Sequence, residues 1–132
     1  MILIDTSIWI RVFKDKQGVE AKRIQDWLTG RKIVLARFVQ LELLQGCRDE
    51  KEWQLLSSYL EEQTYIEANT NTWQSAARIY FELRRQGLTV HSPIDCCIAQ
   101  LALENNLVLL HDDRDFLTIA KIRPLLMEYW HD

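Results

Sequence analysis

Four regions of this chain place acidic side chains where folded proteins concentrate chemistry. Asp5 ends the apolar run Ile2-Leu3-Ile4, Glu42 sits within FVQLELLQG, and Asp95 follows Ser92-Pro93-Ile94. The run HDDRDF then sets Asp112, Asp113 and Asp115 directly behind the apolar LVLL of residues 107–110. Carboxylates gathered within a few ångströms repel one another and raise one another's pKa, so a fold that gathers them calls for a cation. Oxygen-only ligands suit Mg²⁺ or Mn²⁺ better than zinc. His91, His111 and His131 are scattered, with no His-x₃-His or Cys-x₂-Cys spacing beside them. A carboxylate-held Mg²⁺ lowers the pKa of a bound water, orients it for in-line attack and stabilises the leaving oxygen, which is the chemistry of phosphodiester hydrolysis.

Each acid also has a local structural role that competes with this reading. Asp95 stands three residues after Ser92 and completes a capping box. Asp5, beside Thr6 and Ser7, suits an N-cap, and Asp113 or Asp115 suits the cap of the following helix. Glu42 is surrounded by Phe38, Val39, Leu41, Leu43 and Leu44, which wrap most of a helix circumference and predict a largely buried helix. An ionised carboxylate there is costly unless a cation or donor faces it. Gly46, one turn on, leaves that face open. The competing reading places Glu42 on a narrow solvent stripe with Gln45. No single acid decides the matter; what favours a site is that all four can meet at one edge of a sheet.

Hydrophobic periodicity supplies the elements that position them. Residues 2–4, 32–36 (KIVLA) and 107–110 are short, largely apolar runs of the kind buried on both faces of a sheet, and 65–68 and 88–91 are further short strand candidates. Helical spacing covers 7–14, 19–28, 38–47 and 49–62, the last capped by Asp49. It resumes over 71–86, with Trp73, Ala76, Ala77, Tyr80 and Leu83 expected inward, and over 92–104 and 114–120. Residues 127–130 suit a final edge strand. Strands alternating with helices predict a three-layer α/β fold with a mostly parallel central sheet. In such folds the ligand site lies outside the carboxyl ends of the strands. Asp5 and Asp113 share one rim if their two strands are neighbours.

Composition sets bounds. With 132 residues, 48% hydrophobic and 27% charged, four Gly and two Pro, the expectation is one folded domain over 1–132, without low-complexity segments. No basic leader opens the chain and no apolar run is long enough to span a bilayer, so a cytoplasmic location is expected. The three cysteines are odd in number, and Cys96-Cys97 falls within a helical stretch, which argues for reduced thiols over a disulfide framework. A net charge of −3 gives no global reason to expect a nucleic-acid partner. Arg11, Lys14, Lys16, Lys22, Arg23, Arg31, Lys32 and Arg37 nevertheless concentrate in the first third, with Arg84-Arg85 a second basic spot.

The segments ILIDTSIWI, VQLELLQG and HSPIDCCIAQLALENNLVLLHDDRDFLTIA, in this order and spacing, resemble PIN-domain ribonucleases, specifically the VapC-type toxins of type II toxin-antitoxin pairs. The likeness covers essentially the whole chain. It implies that Asp5, Glu42, Asp95 and Asp113 form the family's acidic quartet. Asp5 and Asp95 would be the principal metal ligands, Asp113 would complete the site, and Glu42 would hold a second ion or a metal-bound water. Thr6 or Ser7 would orient Asp5 or contact the phosphate. HDDRDF carries three acids where the pattern needs one or two, so Asp112 and Asp115 compete with Asp113, with Asp115 the second choice. The resemblance further implies an RNA substrate, Mg²⁺ or Mn²⁺ as cofactor, a homodimer and a small VapB-like antitoxin reaching into the acidic pocket. Two rivals stand beside it. One is a catalytically inactive module using the same rim to bind a protein. The other is a phosphoacceptor domain of the response-regulator type, which needs its paired acids after the first strand and a Lys after a late one. Here the pair comes late and no such Lys follows LVLL.

Overall fold

A computed structural model describes residues 1–132. In its first half the chain runs β1 (Ile2–Ile4), α1 (Thr6–Lys14), α2 (Val19–Leu28), β2 (Ile33–Ala36), α3 (Arg37–Gln45) and α4 (Glu50–Glu61). It continues through β3 (Tyr65–Ile66), α5 (Thr72–Arg85), α6 (Pro93–Glu104), β4 (Val108–His111), α7 (Arg114–Ile119) and β5 (Met127–Tyr129). The five strands form one sheet in the order β3-β2-β1-β4-β5, and every pairing is parallel, so the expected "mostly parallel" sheet is wholly so. Seven helices flank it, giving the three-layer α/β arrangement.

β1 is the middle strand, with Leu3 opposite Val34 on one side and Leu109 on the other. Its three residues are all buried, as are Val34, Leu35, Leu109 and Leu110. That is why these runs are apolar without alternation: helices cover both faces. The chain leaves β1 toward β2 and β3, then crosses back to lay β4 on the opposite side. The strand order therefore reverses between β1 and β4, at the point where an open α/β sheet leaves a crevice at its carboxyl rim. Asp5 and the run after β4 emerge at this crevice, and the Asp5 N–H donates to Leu110 O at 3.0 Å across it.

Two helices differ from their expected burial. α3 is only half covered: Val39 and Leu43 are buried, but Leu41 is 56% exposed. On α5 the buried stripe is Thr72, Ala76, Ile79 and Leu83, whereas Trp73 and Ala77 face outward. Packing against α6 selects the face rotated toward the small and β-branched side chains. Residues 88–91 make no strand; Val90 is buried, and the segment connects α5 to the Ser92 cap of α6. Cys96 is buried, Cys47 and Cys97 are half-buried, and all three are free thiols. No helix is long and apolar enough to cross a membrane.

Candidate functional site: an acidic pit at the sheet rim

The pit is built from the ends of two strands and the starts of three helices. Asp5 leaves β1 and caps α1, its Oδ2 accepting from Ser7 N at 3.0 Å and from Ser7 Oγ at 2.6 Å. Asp113, after β4, caps α7 by accepting from Asp115 N at 2.9 Å. Asp95 sits in the first turn of α6. Oxygens of Asp95, Asp113 and Asp115 all lie within 4.8 Å of one another, close enough to share one ion. Asp5 is outside this tightest trio but near enough to feel the charges of Asp113 and Glu42. Glu42, from α3, accepts from Thr6 Oγ1 at 3.0 Å. The capping roles read from sequence for Asp5 and Asp113 thus coexist with the pit, because a cap uses one carboxylate oxygen and leaves the other free.

Asp95 does not complete a capping box. The Ser92 hydroxyl caps α6 by accepting from Ile94 N, while the Ser92 N–H goes to Asp115 Oδ2 at 3.3 Å. Asp115, 3% exposed, also accepts from His91 N at 2.8 Å and lies 2.9 Å from His91 Nδ1. The acid from HDDRDF has taken the capping partner that spacing assigned to Asp95, and Asp95 is freed to face the pit. Asp112 points away altogether, into an ion pair with Arg11 at 2.8 Å. Of the three competing acids, Asp113 and Asp115 enter the pit and Asp112 does not.

The electrostatics match this crowding. Burial pushes the Asp5 carboxyl up to about 6, with the charges of Asp113 and Glu42 adding to it and the Ser7 hydrogen bonds opposing it. Burial pushes Asp95 up to about 10, reinforced by its hydrogen bond with Asp115 and the charges of Asp113 and Asp5. Asp115 is also buried, but the hydrogen bonds from Asp95 and His91 outweigh that and hold its carboxyl below the usual range. Metal-free, the pit keeps itself tolerable by leaving a proton on Asp95, held against Asp115. No arginine or lysine pairs with Asp5, Glu42, Asp95, Asp113 or Asp115. A hard dication fits this donor set, since every side chain offered is a carboxylate and the charge it would neutralise is otherwise carried by a displaceable proton.

Glu42 is half-buried rather than enclosed, because α3 borders a groove of about 860 Å³ between α1, α3 and α4. Trp9, Ile10, Phe13, Leu55 and Tyr59 line it, Lys14 and Arg48 flank it, and it reaches the pit through Thr6 and Glu42. Gly46 lies on its wall, the open face its lack of a side chain suggested. Of the basic residues noted in the sequence, Lys14 alone from the first third lines this groove, whereas Arg84 and Arg85 lie over Tyr80 and Phe81 on α5. Sequence reasoning missed the backbone and imidazole of His91 as the seat of Asp115, and His111 Nδ1 as the acceptor for Asp113 N–H at 3.1 Å. Neither has a spacing signature, since both depend on how the chain turns at the ends of its elements.

A parallel α/β domain with its acids gathered at the switch point belongs, by architecture, among the carboxylate-site α/β folds. Comparison with known proteins narrows this. The family model described as PIN domain matches residues 2–122. The chain is 32% identical over 128 residues to ribonuclease VapC11 of Mycobacterium tuberculosis and to VapC ribonuclease Mb1587 of Mycobacterium bovis, covering 95% of this chain and 96% of each relative. Among solved structures, VapBC2 from Rickettsia felis superposes with a TM-score of 0.77 at 19% identity, covering 99% of this chain and all of that one. VapBC-1 from nontypeable Haemophilus influenzae does so with a TM-score of 0.77 at 24% identity, covering 98% of each chain. The chain belongs to the PIN-domain family, in its VapC ribonuclease branch.

Proposed function

We propose that the protein is the toxin of a toxin-antitoxin pair, an endoribonuclease that hydrolyses RNA phosphodiester bonds at the acidic pit with Mg²⁺ or Mn²⁺ bound. The observation that carries this reading is the convergence of Asp5, Asp95, Asp113 and Asp115 at the switch point without a cationic side chain, together with kinship to VapC ribonucleases. Asp95, Asp113 and Asp115 would hold the ion, with Asp5, oriented by Ser7, as a further ligand. Glu42, held by Thr6, would hold a second ion or orient the attacking water at the groove side. When bound, the metal would lower the pKa of the attacking water and stabilise charge at phosphorus. The protein's own contribution is to fix the carboxylates: two through helix caps, one through the His91–Ser92 backbone, one through a threonine hydroxyl.

The apolar groove that ends at Glu42 supports a short VapB-like antitoxin segment as the inhibitor. Such a segment would lay apolar side chains along Trp9, Phe13 and Leu55 and reach the pit with a cationic one. Leu41 on α3 and Trp73 and Phe81 on α5 are further large apolar side chains left exposed, and they support a homodimer. The complete acidic set argues against an inactive binding module. Cleavage of RNA by the purified protein, present in Mg²⁺ and absent in excess EDTA, tests the reading; undiminished cleavage in EDTA would overturn the metal mechanism. Growth arrest on expression, relieved by the small open reading frame beside the gene, tests the toxin assignment separately.

A further inference from the structure

Asp112 lies between two residues that help build the pit, yet its side chain is anchored on the opposite side of the turn. Its Oδ2 accepts from Arg11 Nη1 at 2.8 Å, and its Oδ1 lies 2.8 Å from His131 Nδ1. The same guanidinium binds Glu20 of α2 and, at 2.9 Å, Asp132. Trp130 Nε1 donates to Glu20 at 3.0 Å, so the residues beyond β5 fold back over α1 and α2. The Arg11, Glu20 and Asp112 side chains are each less than a fifth exposed, so water screens these pairs only in part.

Through its backbone Asp112 touches the pit. Its N–H donates to Ser7 Oγ at 2.9 Å, and Ser7 Oγ spends its one proton on Asp5 Oδ2. The next residue is Asp113. The orientation of Asp112 therefore sets both the hydroxyl that aims Asp5 and the turn that aims Asp113.

Resting on the metal-site reading above, we propose that Arg11 is a positioning residue for the pit: by holding the Asp112 carboxylate outward, it locks the turn after β4 against Ser7 and so keeps Asp5 and Asp113 aimed for the cation. Released from the guanidinium, the turn is free to twist, which withdraws the Asp112 N–H from Ser7 and loosens Asp5 and Asp113 together. Only a planar fork of five N–H donors serves Asp112, Glu20 and Asp132 at once, so lysine is a poor replacement.

Mn²⁺ binding by calorimetry on the purified full chain tests this, alongside the thermal midpoint of the metal-free protein. Replacing Arg11→Gln is expected to weaken Mn²⁺ binding by about 10-fold, the usual scale for an outer partner of a metal ligand. Asp112→Asn breaks the same ion pair from its other end while removing a charge of opposite sign, and is expected to weaken binding comparably, with the double variant no weaker than either. Glu20→Gln, which leaves the Arg11–Asp112 contact in place, is expected to lower the thermal midpoint with Mn²⁺ affinity unchanged. Unchanged or tighter binding in Arg11→Gln overturns the proposal, as does a loss that Asp112→Asn does not share or that Glu20→Gln reproduces. If Arg11→Gln does not fold, Asp112→Asn alone decides: weakened binding supports the positioning role, and retained affinity overturns it. Wild-type protein that takes up no Mn²⁺ brings down the metal reading itself, a result distinct from wild-type binding that is indifferent to Arg11.

Discussion

Two acidic clusters lie on either side of one turn, and they are neutralised in opposite ways. Outside the turn, Glu20, Asp112 and Asp132 surround Arg11, with Arg23 and His131 adding donors. Their charges are met by the protein itself, and the cluster fastens α1, α2 and the last residues together. Inside it, Asp5, Asp95, Asp113 and Asp115 face one another with His91 as the sole basic partner. Their charge is met in part by burial, which raises the Asp5 and Asp95 carboxyls and leaves a proton on Asp95, a makeshift that a dication improves on. Acids paired with guanidinium groups hold the structure together, whereas acids left to repel one another across a crevice mark the proposed reactive centre. Asp112, anchored on Arg11, and Asp113, which enters the pit, are adjacent in the chain.

The sharpest way to break this contrast is to remove one charge from the pit. Asp95→Asn is expected to lower the rate of RNA cleavage by on the order of 10³-fold, the upper range for deleting one charge-stabilising group. The metal-free protein should stay folded and become no less stable, because the amide keeps the donor that protonated Asp95 offers to Asp115; a cleavage assay with thermal melts checks both. Wild-type activity in this variant would remove the pit from the chemistry.

Metal addition comes next in size. A dication at about 100 times its dissociation constant adds about 2.7 kcal/mol to the folded state. For a chain of this length that raises the melting temperature by roughly 10 °C. Asp95→Asn should lose most of the shift, whereas Glu20→Gln on the outer cluster should keep it. Equal shifts in the two variants would mean that the metal is bound elsewhere.

A pH titration of the metal-free protein sharpens the comparison further. Asp95 titrates near 3.8 when unfolded and about 10 when folded, so between these values the folded state holds a proton that the unfolded state has released. Its contribution is complete below pH 4 and declines as pH rises. His111, buried and pushed down to about 4, acts in the opposite direction, but only below about 6.5. From pH 6.5 to 8 in EDTA, stability measured by urea unfolding should therefore fall, Asp95 contributing up to about 1.4 kcal/mol per pH unit and His91, raised by Asp115, adding in the same direction. Mg²⁺ or Asp95→Asn should reduce the slope, and stability rising with pH over this interval would contradict the account.

The smallest effect belongs to charges in neither cluster. Lys22 and Asp26, 3.7 Å apart on the exposed face of α2, are expected to contribute under about 0.5 kcal/mol. Asp26→Asn should leave metal uptake and cleavage as they are, and a clear change in either would show that α2 as a whole, rather than Glu20 and Arg11, communicates with the pit.

The order and type of the elements were legible in the chain because unbroken apolar runs such as residues 107–110 suit strands covered on both faces, and because Asp49, Ser92 and Pro93 punctuate helices by local chemistry. The acidic set was legible too, since Asp5 and Asp113 each follow such a run and strand ends are where parallel sheets expose their sites. What lay beyond it was side-chain allegiance. Spacing gave Asp95 the capping role that Asp115 takes from 23 residues away, and placed Trp73 and Ala77 on the inner face of α5 beside the correctly assigned Ala76 and Leu83. The resemblance ranked Asp113 ahead of Asp115 without excluding Asp112. Local sequence determines which backbone a segment adopts, because propensity and capping act over three or four residues. Which carboxylate pairs with a guanidinium and which is left facing its own kind is decided by neighbours as far apart as Arg11 and Asp112, and only the closed sheet, with β4 laid beside β1, brings those neighbours together.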